Sequence, residues 1–204
     1  MADLSAELVR LAAALYPLSS DSSNLPVVGY RPPREDWTPA PAAVLVPIRL
    51  DADHGVLLTV RSRSLPHHAG QVSLPGGSPD PGEVSPLETA LREANEEIGL
   101  KPSQVRPLGM LPCFDTITAF RIVPVVALVA EAAVIRPNPA EVSETFSVPL
   151  ARVLDLASYR CHAIERDGQV FEAWSMCSGH RPVWGATAAI LRELALLVDG
   201  TAAG

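Results

Sequence analysis

The sequence predicts an α+β sandwich, and three observations carry that reading. Helix-period and strand-period segments interleave irregularly instead of repeating as regular βαβ units. The 204 residues suit one domain with elaborated ends. With 48% of residues hydrophobic and only 5% aromatic, the core must be aliphatic and alanine-rich.

The elements follow in order. Residues 1–17 read as an amphipathic helix, because Leu4, Leu8, Leu11, Ala12 and Leu15 recur at helical spacing. Residues 18–41 are rich in Ser, Pro and charge, which suggests a wrapping loop or linker. The expected division is therefore an N-terminal segment, 1–41, and a main domain, 42–204. Strands are expected over Ala42–Leu50 and Val56–Arg61, around the turn Asp51-Ala52-Asp53-His54-Gly55. A loop, Ser62–Gly70, leads to a short strand, Gln71–Leu74. Gly76–Ser85 holds too much Gly and Pro for regular structure.

The next helix is punctuated at both ends. Ser85 can cap it, Pro86 suits its first position, Glu88 completes a capping box and Gly99 stops it. Leu87, Ala90, Leu91, Ala94 and Ile98 form its apolar stripe, away from the acids. Two strands, Gln104–Phe114 and Phe120–Ala130, flank a polar turn at Asp115–Ala119. Asp115 and Thr116 are expected to satisfy that turn's hydrogen bonds. Glu141–Leu150 reads as loop and strand, and Val153–Leu156 as part of a short helix. Cys161–Glu165 and Val170–Trp174 read as a hairpin around Asp167-Gly168, and Pro182–Val198 as a terminal helix packed by Trp184 and Gly185.

The chemistry lies in Arg92-Glu93-Ala94-Asn95-Glu96-Glu97-Ile98-Gly99-Leu100. On a helix, Glu93, Glu96 and Glu97 share one face. They crowd the C-terminal end, where the macrodipole already disfavours acids by about 0.3–1 kcal/mol each. A divalent cation turns that penalty into a site. The plain alternative is a solvated polar face.

Bulk properties narrow the function classes. The net charge of −7 argues against a nucleic-acid surface. It does not exclude an anionic small substrate, because bound metal reverses the local field. Cys113, Cys161 and Cys177 are few and scattered, which fits a reducing compartment, argues against zinc and makes the thiols apolar filler. No apolar run is long enough to span a bilayer, and no signal pattern opens the chain, so the cytoplasm and no membrane partner are expected.

From Gly77 to Leu100 the chain resembles the Nudix hydrolase box: Gly, five residues, Glu, seven residues, then Arg-Glu-aliphatic-x-Glu-Glu-x-Gly-aliphatic. Gly77, Glu83 and Arg92–Leu100 match it, with Ala94 at the aliphatic position and eight residues between Glu83 and Arg92. That lengthened loop is typical of the coenzyme A pyrophosphatase subfamily. So is the upstream pattern, seen here as Leu57-Leu58-Thr59-Val60-Arg61-Ser62, His68-Ala69-Gly70-Gln71-Val72 and Leu74-Pro75-Gly76-Gly77. Pro66 stands where that pattern has Arg, and Leu74 where it has Phe. Arg63, His67 and His68 lie close enough to compensate.

The resemblance implies a Nudix α/β/α sandwich with a mixed sheet. It implies a pyrophosphatase splitting coenzyme A or its derivatives into 3′,5′-ADP and 4′-phosphopantetheine. The alternatives are a Nudix hydrolase of ADP-ribose, a dinucleotide or an oxidised nucleotide, or a non-catalytic Nudix binding module. The implied catalytic set is Arg92, Glu93, Glu96 and Glu97. Glu93, Glu96 and Glu97, with Gly76, would hold Mg2+ or Mn2+, hard cations that prefer oxygen. Arg92 would orient the ligand carboxylates and can also pair with Glu88 one turn back. Arg61, Arg63, His68, Gly70 and Gly77 would bind substrate, although pairing on a strand edge is an equal reading for Arg61. The general base stays open among Glu93, Glu96, Glu97, Glu141 and Glu144. The expected partner is a small nucleotide, coenzyme A, and a homodimer is compatible with the resemblance.

Overall fold

The computed structural model describes residues 4–19, 21–31, 37–51, 54–166, 168–179 and 181–200. Alternation along two central strands builds the core. In β2 (Ala40–Arg49), Ala43 and Leu45 point to one face while Val46 and Ile48 point to the other. In β8 (Phe120–Val129), Val123, Val125, Ala127 and Val129 take the first face, and Val126 and Leu128 the second. Both faces of the sheet are thus apolar, and both must be covered. The first is covered by α2 (Pro86–Ile98), through Ala90, Ala94 and Ile98. The second is covered by α1 (Leu4–Ala14), α3 (Leu150–Leu154) and α4 (Gly185–Asp199). The result is an α/β/α sandwich.

The main sheet runs β1 (Val27–Gly29), β7 (Cys113–Asp115), β8, β2, β3 (Gly55–Arg61), β4 (Val72–Ser73). Off that path, β5 (Gly76–Gly77) pairs with β2, β6 (Val105–Met110) with β8, and β9 (Val142–Pro149) with β3. The β2–β8 and β1–β7 pairs are parallel and the others antiparallel, so the sheet is mixed. A second sheet holds β10 (Tyr159–Arg166), β11 (Gln169–Cys177) and β12 (Pro182–Trp184). Among the described residues, no helix is long and apolar enough to cross a membrane.

Several elements differ from the sequence expectation. The stretch expected to be a wrapping loop or linker contains a 3-10 turn at Ser22–Asn24 and the edge strand β1. Backbone bonds from Cys113 to Pro26 and from Tyr30 to Asp115 fasten it to the sheet. Leu11 is fully buried, but Ala12 is exposed, and the side chain of Leu4 lies outside the described residues. Gly76–Gly77, expected to be irregular, is a two-residue strand. Pro182–Trp184 is a strand, and α4 starts only at Gly185, with Trp184 half exposed instead of packed. The short helix lies at Leu150–Leu154, earlier than expected. Asp115 spends its carboxylate on Arg121, at 2.8 and 2.7 Å, and leaves the turn to Thr116. Cys161 and Cys177 are exposed and do not fill the core. Ala52, Asp53 and Asp167, within two of the expected turns, lie outside the described residues.

Candidate active site

Local signals hold α2 in place. Ser85 has extended backbone, and its Oγ accepts the Glu88 N–H at 3.3 Å. Glu88 reaches back to the Val84 N–H at 2.8 Å, one residue earlier than a standard capping box. At the other end Gly99 adopts φ 67°, and the Gly99 and Leu100 N–H groups bond to Asn95 and Ala94. The Gly99–Asn95 bond is that of an αL cap, which requires the left-handed region favoured by glycine.

The acids that share one face in sequence meet three different environments. Glu96 is exposed, its side chain 50% accessible. Glu93 is half-buried against Gly77, where an added Cβ would stand only 2.7 Å from Glu93 Cδ. Glu97 is 4% exposed, and its Oε2 has no hydrogen-bond partner. The expectation that the acidic face stands clear of the buried one is therefore corrected at Glu97. Its partial counter-charge comes from β3, where Arg61 Nη1 lies 4.0 Å from Glu97 Oε1. The Arg61 Nε is likewise buried without a partner.

Arg92 organises the rest. Its Nε donates to Glu83 Oε1 at 2.8 Å, its Nη2 to the Ser78 carbonyl at 2.9 Å and its Nη1 to Glu96 Oε2 at 2.8 Å. Nη1 also lies 3.0 Å from Glu93 Oε1. Arg92 therefore does not pair with Glu88. Glu83 takes further hydrogen bonds from the Asp80 N–H and the Thr89 hydroxyl. The lengthened loop thus ends in a clamp that fixes the guanidinium, which in turn aims Glu93 and Glu96.

Electrostatics separate the clamp from the pocket. The Arg92 hydrogen bond holds the Glu83 carboxyl down at about 2, and Glu83 raises Arg92 in return. Burial pushes Glu93 up, and Glu96 and Glu141 add to it against the pull of Arg92. Burial, then Glu93 and Glu141, push Glu97 up to about 8, opposed by Arg61 and the Gly76 backbone amide. Buried oxygens that repel one another, one of them unpartnered, are a donor set that suits a hard dication. Among the described residues no three acidic, His or Cys side chains are already gathered into a metal cage.

The backbone of Gly76 and Gly77 is pressed between β2 and the acids. A Cβ on Gly76 would overlap the Ala43 carbonyl and stand 2.6 Å from Val44 Cα. Replacing Gly77 by Ala should displace the Glu93 carboxylate while β5 remains paired. Turnover should fall by about a hundredfold with little change in thermal midpoint, since misplacement by an ångström costs that much. Wild-type turnover in that variant would remove Gly77 from the site.

Other expected residues lie further out. Arg63, His68 and Gly70 are exposed in the loop after β3, with His68 at φ 56° and its Nδ1 2.9 Å from Gln71 Oε1. Gly70 donates its N–H to the Arg61 carbonyl, but the loop does not bring Arg63 or His68 into contact with the acids. Glu144 is engaged by Arg181 at 2.6 Å. A cavity of about 420 Å3 borders the loop before α2, bounded in part by Ser22, Pro41, Ala43, Pro79, Glu83 and Arg121. Sequence reasoning left the role of Glu83 unsettled. Thr89, whose hydroxyl completes its clamp, carried no signal in the sequence.

Comparison with known proteins agrees with this arrangement. A family model described as NUDIX domain matches residues 39–166. A protein of Escherichia fergusonii is 42% identical over 165 residues, covering 81% of this chain and 86% of that protein. One of Pectobacterium atrosepticum is 44% identical over 158 residues, covering 78% and 82%. Both bear the name "Uncharacterized Nudix hydrolase NudL". The crystal structure of DR0079 from Deinococcus radiodurans is similar in fold, with a TM-score of 0.50 at 16% identity over 80% of this chain and 87% of that one.

Proposed function

Because this chain belongs to the NUDIX domain family, we propose that it is a metal-dependent pyrophosphatase of coenzyme A or its acyl derivatives. It is a Nudix hydrolase, acting on phosphoanhydride bonds of nucleotide derivatives. The coenzyme A reading rests on one observation. The upstream motif ends at the same acids as the helix: Arg61 of β3 faces Glu97, and Gly77 abuts Glu93. The products would be 3′,5′-ADP and 4′-phosphopantetheine, or its acyl form.

Glu93, Glu96 and Glu97 would hold Mg2+ or Mn2+, which would supply positive charge to the diphosphate oxygens and help activate the attacking water. The chain's own residues do the positioning. Glu83 fixes Arg92, and Arg92 aims Glu93 and Glu96. Arg61, whose side chain is 30% exposed, offers its guanidinium to an anionic substrate. The water oxygen bonds to phosphorus, its proton passes to a carboxylate of the group and the bridging P–O bond breaks. The Gly76–Gly77 backbone leaves room for close approach.

The competing reading is a Nudix hydrolase of ADP-ribose, a dinucleotide or an oxidised nucleotide. It draws on Pro66, which stands exposed where the coenzyme A pattern has an arginine. Incubation with coenzyme A and with ADP-ribose, each with and without Mg2+ or Mn2+, separates them. Metal-dependent release of 3′,5′-ADP is expected. Intact coenzyme A beside efficient ADP-ribose hydrolysis would overturn the substrate reading.

A further inference from the structure

Arg121 stands opposite Asp115 in the β7–β8 ladder. It lies two residues before Val123, whose side chain joins the face that α2 covers, so Arg121 points to that face as well. Asp115 is 2% exposed and accepts the Arg121 Nε and Nη2 groups at 2.8 and 2.7 Å. Among the described residues Nη1 makes no hydrogen bond. A buried carboxylate that spends both oxygens on a half-exposed guanidinium gains little stability from it. What it fixes is the direction of the remaining N–H groups.

That guanidinium borders the cavity of about 420 Å3 beside the loop before α2, a volume within the range of small-molecule sites. Pro39 and Pro41 at the start of β2, and Val84 and Pro86 at the start of α2, give it apolar walls. Glu83 also borders it, but both of its oxygens are engaged, by Arg92, the Asp80 N–H and the Thr89 hydroxyl. Among the described residues that line the cavity, Arg121 is the one cation.

The cavity is also close to the acids. Ala43 lines it and stands opposite Gly77, which abuts Glu93. Arg121 stands opposite Pro41 on the other edge of β2. Two strand steps and two residues therefore separate Arg121 from Gly77, about 12 Å between backbones. A nucleoside whose 5′-diphosphate lies at Glu93 bridges that distance with its ribose and base. An apolar slot with one oriented guanidinium suits a flat base that carries one further phosphate. Coenzyme A has such a phosphate on its 3′ oxygen, and ADP-ribose has none.

We propose that this cavity receives the 3′-phosphoadenosine half of the substrate and that Arg121, aimed by Asp115 as its positioning residue, determines specificity for the 3′-phosphate. The assignment rests on the coenzyme A reading above and names the group by which coenzyme A is told from its rivals.

Paired substrates test this, coenzyme A and 3′-dephospho-coenzyme A, with kcat and KM measured for each. Wild type should favour coenzyme A about a hundredfold in kcat/KM, and the preference should be carried by KM. In R121Q the ratio should fall to near one. D115N, which loosens the guanidinium and keeps its charge, should retain about a tenth of the preference. An R121Q that slows both substrates alike keeps the ratio, as a merely structural arginine would, and overturns the proposal. So does a wild type that treats the two substrates equally. If R121Q does not fold, 3′,5′-ADP and AMP titrated into wild type decide the matter. The bisphosphate should bind about tenfold tighter or more, and equal affinities overturn the proposal. A wild-type protein that cleaves neither substrate refutes the coenzyme A reading instead, and the two titrations then judge the cavity by themselves.

Discussion

Replacing Glu97 by Gln should lower turnover by roughly 10²–10³-fold while leaving the fold intact. The side chain keeps its shape and loses only its ability to ionise, so the buried contacts of Ile98 and Ala94 are untouched. The change also has a signature without substrate. Glu97 in the fold titrates at about 8, against about 4.3 for a free glutamate. Between those values the native protein holds a proton that the unfolded chain releases. Stability of the metal-free protein must therefore fall as pH rises from about 4.3 toward 8. In E97Q that decline should flatten, and a series of thermal midpoints from pH 5 to 8.5 reads it. A wild-type decline that persists unchanged in E97Q would assign it to other groups.

Removing Arg92 should be nearly as damaging to activity, by a different route. R92A strips the guanidinium from Glu83, Glu93 and Glu96 together, and a loss of about a hundredfold in kcat is expected from misaimed carboxylates. Lysine should not rescue it, because a single ammonium cannot bond Glu83, Ser78 and Glu96 from one planar fork. Glu83 supplies the accompanying pH signature. Its carboxyl is held at about 2, so its contribution is complete above the unfolded value near 4.3 and is lost as pH falls toward 2. Acid unfolding of R92A should begin at higher pH than that of wild type. Equal acid midpoints in the two proteins would show that the Glu83–Arg92 contact contributes nothing in solution.

These two residues mark how far the sequence could be read. The α2 boundaries were legible because their causes are local: Ser85, Pro86 and Gly99 act within one turn of themselves. The central strands were legible because alternation along β2 and β8 reports burial on both faces. The shared face of the three glutamates was legible from their spacing, and Arg92 was named through the resemblance to the Nudix box. The unequal surroundings of those glutamates were not legible, because Glu97 is buried by Arg61 from β3 and by a turn some forty residues further along. The partner of Arg92 was misplaced for the same reason. Glu88 is nearer along the helix, but the loop folds back and delivers Glu83. β1, β5 and β12 escaped notice because such short strands pair through backbone alone and leave no periodicity in their side chains.

The most direct measurement is calorimetric titration of Mn2+ into the wild-type protein and into E97Q, near neutral pH and without any nucleotide. A crowd of buried, mutually repelling carboxylates should give saturable binding in the first and binding weaker by an order of magnitude or more in the second. Two superimposable titrations, or a native protein that takes up no dication at all, would contradict the account at its root.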